Sequence, residues 1–401
     1  MKGLFVFTEN YARGGGNRYL IDMVNALAHR FDGVIIASNR GGIYEEDMAR
    51  LRTEAEYRAV YFMTRASASN ALGRLPLALR TALLLPLFFV EPLLFFANVL
   101  IFILKIMAIR PSAVVCCNGG YPAARAALAL AVACGVTKTP AIMSIVSMPM
   151  SMRVFSGFYE RLIDSLVWRS LSLVIVNAGA IKNALVETRG MPEGLARVIH
   201  NGIEDRPLAA DKAAAGRRLT IGCLTRADRA KGVLHLLDAF IGLAKKYPDL
   251  RFIIAGEGDA SDELSLSRAA SGVKDRIELC GYFSGDAHRL ISGFDIYVFP
   301  SLHEGFPYSI LEAMRAGCAI VSTAVGGIPE ALRDGVDGLL IEPASAKAIE
   351  IAVERLIKDR RLAERLGMNA RSRFKADFTL AEMETRVRKA FDEAIREERR
   401  K

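Results

Sequence analysis

The sequence predicts an α/β chain built as two doubly wound halves, each around a parallel sheet. Three observations carry this. Short apolar, β-branched runs alternate with longer helical patterns along most of the chain. The runs are continuous rather than alternating apolar and polar, as in strands covered on both faces. The 401 residues are enough for two domains of ordinary size.

Taken in order, Met1 to Thr8 reads as a first buried strand, too short for a signal peptide. Gly33 to Ser38, Ser112 to Cys117, Ala141 to Val146 and Leu173 to Val176 are further candidate strands. The rhythm repeats at Leu219 to Leu224, Arg251 to Gly256, Ile277 to Gly281, Phe294 to Pro300 and Gly317 to Thr323. Strands alternating with helices require crossover connections, hence parallel sheets. The polar, alanine-rich stretch Glu204 to Arg218 reads as the linker, giving domains over 1–203 and 219–378. A strongly charged last helix begins at about Leu380, within a terminal segment 379–401.

The net charge of +9 is uneven: residues 1–200 hold 21 Lys and Arg against 13 Asp and Glu. From Pro92 to Tyr159 there is no carboxylate, while Lys105, Arg110, Arg125, Lys138 and Arg153 are present. These cations flank very apolar sequence rather than exposed aromatics, which points to an anionic membrane surface and away from nucleic acid. Cys116, Cys117, Cys134, Cys223, Cys280 and Cys318 lie on apolar or small-residue stretches without metal spacing, as buried reduced thiols of a cytosolic protein do. The segment 75–109 is the most apolar. A membrane-spanning helix needs about 20 continuous apolar residues, and Pro86, Glu91 and Pro92 interrupt this one. The expectation is a monotopic helical hairpin that dips into the bilayer, with a true span as the less favoured reading.

Chemistry is carried chiefly by the run Glu304 to Met314. Two carboxylates, Glu304 and Glu312, stand eight positions apart across Gly305, Phe306 and Pro307. Glu304 is expected on a loop at a strand's carboxyl end. Glu312 is expected about two turns inside the next helix, on a face shared with Tyr308 and Ser309. The free N–H groups of that helix start suit a phosphate. Either glutamate alone reads as a cap or a solvated helix residue; the pair in this setting does not.

This run resembles the E-x7-E signature of the GT4 family of retaining nucleotide-sugar glycosyltransferases. So do Gly326 to Glu330 and Asp334 to Leu340, which look like family punctuation. The resemblance implies the GT-B fold, two Rossmann-like domains with an intervening cleft, and a terminal helix that crosses back to the first. It implies that Glu304 lies beside the donor sugar and that Glu312 binds the ribose, with Gly305, Phe306, Ser309 and Ile310 around the donor. Arg226 and Lys231-Gly232, after the strand at Leu219, resemble the pair that neutralises the donor diphosphate; two fixed cations stabilise a departing diphosphate. Tyr282 and Phe283 match the position that holds the base. Gly14, Gly15 and Gly16 resemble the N-terminal glycine loop, where backbone N–H groups approach a ligand closely.

Many members of that family carry a histidine after a middle strand of the first domain. Here only His29, His200, His235, His288 and His303 exist, and none stands there. Asn118 and Tyr121 occupy the region and are the candidate acceptor-binding residues. The resemblance implies a UDP- or GDP-linked sugar donor, no cofactor and no metal. Together with the basic, apolar first half it implies a lipid-linked or glycolipid acceptor at the cytoplasmic face of the cell membrane, in envelope polysaccharide or glycolipid synthesis. A GT-B nucleotide-sugar epimerase and a non-catalytic GT-B scaffold are the rival readings.

Overall fold

The computed structural model describes residues 3–9, 15–39, 48–72, 75–152, 157–208 and 218–400. The chain divides into two compact units, one of Met1–His200 with Glu384–Lys401 and one of Asn201–Met383.

Among the described residues the first unit contains β1 (Gly3–Thr8), α1 (Gly15–Leu27), β2 (Gly33–Ser38), β3 (Glu56–Ala59), α2 (Arg65–Ala71) and α3 (Leu77–Ile109). These are followed by β4 (Ala113–Gly120), α4 (Arg125–Thr137), β5 (Ala141–Ser147), α5 (Gly157–Ser170), β6 (Leu173–Val176), α6 (Gly179–Arg189) and β7 (Ala196–Val198). Its sheet runs β3-β2-β1-β4-β5-β6-β7, every pair parallel. The central strands are buried along all but their end residues because helices cover both faces. β3 is short, exposed and polar, which is why the apolar pattern missed it.

The second unit contains β8 (Thr220–Leu224), α7 (Val233–Lys246), β9 (Arg251–Ala255), α8 (Ser261–Ala270), β10 (Ile277–Leu279), α9 (Ala287–Ser292) and β11 (Ile296–Phe299). Then come α10 (Tyr308–Arg315), β12 (Ala319–Thr323), α11 (Ile328–Ala331), β13 (Leu339–Ile341), α12 (Ala346–Lys358) and α13 (Arg360–Asp377). Its parallel sheet runs β10-β9-β8-β11-β12-β13. The core is built from Ile221, Phe240, Phe252, Ile254, Ile296 and Val321 with the apolar faces of α7, α12 and α13. The last helix, α14 (Leu380–Arg400), passes from the second unit into the first. There Phe391 meets Phe31 edge-on at 5.9 Å, and Asp392 pairs with Arg30.

Two expectations are corrected. The break between units falls at His200, not along 204–218. Arg315 donates to the Glu204 carbonyl at 3.0 Å, Arg371 to the Arg206 carbonyl at 2.8 Å, and Arg206 pairs with Asp286 at 2.9 Å. Those bonds hold 204–206 on the second unit; residues 209–217 of the expected linker lie outside the described residues. The segment 75–109 is also no hairpin. α3 is one helix of 33 residues, with Pro86 and Pro92 inside it. Each proline removes one N–H donor and crowds the carbonyl four residues back, yet the helix continues past both. The stripe Phe95, Val99, Phe102 and Ile106, at most 7% exposed, holds the second half against the unit. Phe102 meets Phe7 of β1 edge-on at 5.0 Å.

On α1, burial raises the Asp22 carboxyl to about 6, opposed by Arg18. Its value in the unfolded chain is about 3.9. The folded state therefore holds the proton more tightly, and the cost of this carboxylate is absent below pH ~4, grows between ~4 and ~6 and is complete above. Asp22→Asn is expected to stabilise the protein at pH 7.5 by up to about 3 kcal/mol, two pKa units at ~1.4 kcal/mol each. Denaturant melts at pH 7.5 and pH 4.0 check this; an equal gain at both would contradict it.

Candidate active site

The second sheet reverses its winding between β8 and β11. Loops leaving the carboxyl ends of strands diverge at such a reversal and open a crevice, where open α/β sheets bind ligands. The loops after β8 and β11 carry the predicted residues. Lys231 closes a short 3-10 turn, Arg229–Lys231, and Glu304 sits between β11 and α10. Lys231 Nζ lies 2.6 Å from Glu304 Oε1, the side chains 19% and 9% exposed. Each thus offsets the other's charge in a sheltered position.

Backbone contacts fix this pair. Leu302 N donates to the Ala230 carbonyl at 2.9 Å and Gly327 N to the Gly305 carbonyl at 2.7 Å, lacing the loops after β8, β11 and β12 together. Two glycines permit the approach. Gly232 has φ 67°, and a Cβ there would overlap the Pro300 carbonyl oxygen. Gly326 has φ 55°, and a Cβ there would overlap the carbonyl oxygen of Glu304 itself. Any side chain at Gly326 would displace Glu304.

Glu312 lies one turn into α10, not two. Pro307 is the extended N-cap (φ −76°, ψ 129°), so the helix begins only at Tyr308. Tyr297 of β11 donates its hydroxyl to the Leu224 carbonyl at 2.9 Å, and Ser309 bonds to the same phenol. Burial pushes that phenol far above its usual range, so Tyr297 acts here as a neutral strut between β8 and α10. Sequence reasoning missed it because a tyrosine in a buried strand reads as core.

Other expectations are met unevenly. Arg226 is at the β8 loop but is 70% exposed and pairs with Asp228 at 2.7 Å. Tyr282 is 71% exposed. It stands with Phe283 just after Gly281, whose carbonyl accepts from Gly256 N at 2.8 Å. Phe306 and Ile310 are corrected as side-chain contacts to a donor. Phe306 is 3% exposed and packs on Phe378 at 5.5 Å, and Ile310 is fully buried. An apolar side chain at the buried base of a loop is drawn into the core, and the Phe306 carbonyl accepts from the buried Asn201 amide at 2.5 Å.

In the first unit the winding reverses between β1 and β4. Gly15 and Gly16 open α1, and a Cβ at Gly16 would come 3.3 Å from Val146. Gly14 lies outside the described residues. Asn118, near the end of β4, is fully buried, and neither atom of its amide has a hydrogen-bond partner among the described residues. A buried unpaired amide is costly. Tyr121 is corrected as an acceptor contact: its ring stacks on Trp168 at 4.7 Å and its hydroxyl donates to Asp164 at 2.7 Å. It belongs to a buried cluster that sequence reasoning also missed. Arg189, fully buried, reaches Glu160 at 2.7 Å and Asp164 at 3.0 Å. Arg125 reaches Glu91 at 3.1 Å. The i, i+4 spacing of Glu160 and Asp164 was the available signal.

The fold is that of GT-B glycosyltransferases. Anabaena HepE, solved in complex with UDP, superposes with a TM-score of 0.76 at 21% identity over 98% of this chain and 100% of that one. The same protein has been solved with UDP and glucose and with UDP-glucose. Residues 182–373 match the family described as "Glycosyl transferases group 1", and residues 13–206 match "Glycosyltransferase Family 4". The chain is 32% identical over 170 residues to alpha-D-kanosaminyltransferase of Streptomyces kanamyceticus, covering 42% of this chain and 41% of that protein. It is 34% identical over 138 residues to the phosphatidylinositol N-acetylglucosaminyltransferase gpi3 subunit of Schizosaccharomyces pombe, covering 34% and 30%. These matches span less than half of the relatives' own length.

Proposed function

We propose that the protein is a retaining, metal-independent GT4-type glycosyltransferase that moves a sugar from a UDP- or GDP-linked donor to a lipid-linked or glycolipid acceptor at the cytoplasmic membrane face. The observation that carries the reading is the sheltered Lys231–Glu304 pair at the winding reversal of the second sheet. Such a pair is a stored cation and a stored carboxylate. An arriving diphosphate draws Lys231 away from Glu304, and the released carboxylate accepts a hydroxyl of the sugar. The N–H groups opening α10 face the same phosphates, and Glu312 takes the ribose hydroxyls. Arg226, exposed before binding, turns from Asp228 to the departing diphosphate. Asn118 supplies an unpaired amide for the acceptor, and Gly15 and Gly16 let backbone N–H groups come close.

For the acceptor, the support is α3. Val90–Ile109 is 20 residues with a mean hydropathy of 2.3, long and apolar enough to cross a membrane, and 28% of it is buried. Because one stripe packs on the protein core, a seat in the plane of the bilayer keeps those contacts and a span does not. The relation to a phosphatidylinositol N-acetylglucosaminyltransferase, whose name includes a lipid, agrees with a lipid acceptor.

Glu312→Ala is expected to weaken donor and free nucleoside diphosphate alike, by about 1.5–3 kcal/mol for charge-assisted bonds. Calorimetric titration of UDP and GDP checks it, and unchanged affinity for both would remove the assignment.

A further inference from the structure

We propose that the protein's membrane seat is a two-helix face, in which α5 joins α3 and a basic edge meets anionic phospholipid headgroups. This rests on the reading of a membrane-bound acceptor and adds a surface that the apolar segment 75–109 does not contain.

The topology supplies the face. The connections β3-α3-β4, β4-α4-β5 and β5-α5-β6 all step the same way along the sheet. Right-handed crossovers in one direction lay their helices on one side. α3 and α5 both pack against α4, whose Ala126 to Cys134 are buried throughout. The outer surfaces of α3 and α5 therefore flank one covered helix.

Those outer surfaces are apolar. On α3, Leu93, Phe96, Leu100, Leu104 and Met107 are all exposed, at spacings of three and four that form one stripe about 21 Å long. On α5, Phe158 is 87% exposed and Leu162, one turn on, is 45% exposed. Isolated apolar residues on a surface are ordinary; an apolar stripe and an apolar pair on the two helices that flank one covered helix are not.

Charge selects the occupant. The three helices carry three carboxylates, and each is turned inward: Glu91 to Arg125, Glu160 and Asp164 to Arg189. Their exposed cations are left over. Arg110 and Lys138 cap the carboxyl ends of α3 and α4, Arg169 lies in the last turn of α5, and Arg161 stands beside Leu162. None of these four side chains pairs with a carboxylate among the described residues. An apolar stripe with unpaired cations at its margin, and no free carboxylate on its helices, fits an anionic bilayer better than a protein groove.

The test is flotation of the full chain with vesicles of phosphatidylcholine containing roughly 30 mol% phosphatidylglycerol, alongside vesicles of phosphatidylcholine alone. Arg161→Gln with Arg169→Gln is expected to lower partition into the anionic vesicles about 25-fold, from roughly a factor of five per charge near the surface. Phe158→Ser with Leu162→Ser is expected to lower partition into both kinds. Both variants should bind UDP or GDP as the parent does, which shows that they fold. Variants of α5 that float like the parent would overturn the proposal. So would a parent that floats equally with both vesicles, or one that floats with neither and instead forms a dimer that the Phe158→Ser, Leu162→Ser variant breaks. Nucleotide binding keeps the two readings apart: vesicle binding without it would sink the donor site and leave this face standing, and the converse would do the opposite.

Discussion

Lys231→Ala is expected to lower kcat for sugar transfer by about 10²–10³-fold, the scale of losing one preorganised charge at a developing anion. The donor KM should rise much less, because the charge on the leaving diphosphate grows as the glycosidic bond breaks. The structure adds a complication that makes the test sharper. Lys231 is paired with Glu304, so removing it leaves a sheltered carboxylate alone. Part of any loss is then the misplacement of Glu304. Glu304→Gln alone and the double variant close the cycle. If the two residues act as one unit, the double variant loses no more than the worse single one. A Lys231→Ala enzyme with normal kcat and a raised KM would show uniform binding, and the role in leaving-group departure would fall.

The largest stability effect is expected at Arg189. Its guanidinium is fully buried, paired with Glu160 and Asp164, and its centre lies 5.3 Å from the middle of the Tyr121 ring. Removing one member of a buried ionic cluster leaves charge uncompensated, at a cost of about 3–5 kcal/mol. Burial already raises the Asp164 carboxyl against the pull of Tyr121 and Arg189. Without Arg189 it should rise further, because the cation that favours the ionised form is gone. Arg189→Ala is therefore expected to unfold in less denaturant and to recover part of the loss as the pH is lowered. Arg189→Met with Glu160→Gln, which removes charge on both sides, should be closer to the parent. Melts of the single variant within about 1 kcal/mol of the parent would contradict the cluster's structural role.

Much of the architecture was legible because buried parallel strands leave continuous apolar runs. Gly33–Ser38 and Leu173–Val176 fall where the pattern put them. β3 and β13 were not legible: one is polar, and the other spans three residues inside a glycine-rich turn. α3 shows a different limit. Its prolines argued for a break, but local propensity gave way to tertiary packing along Phe95 to Ile106. At the site, the loops that hold Glu304 and Lys231 were legible from strand ends and glycines. Their direct pairing was not, since 73 residues separate them and only the sheet order brings β8 beside β11. Tyr121 and Phe306 erred in one way: an aromatic beside a functional loop serves the core before it serves a ligand.

The central claim is tested most directly by following one labelled sugar. The full chain is incubated with UDP- and GDP-sugars and with vesicles that carry lipid-linked glycans. Nucleoside diphosphate release and label in the lipid fraction are measured together. The account predicts release that depends on acceptor, matches label gained by the lipid, falls about 10²–10³-fold in Lys231→Ala, and needs more donor to reach the same rate in Glu312→Ala. Conversion of the donor to an epimeric sugar, or donor binding with no turnover across the panel, would contradict it.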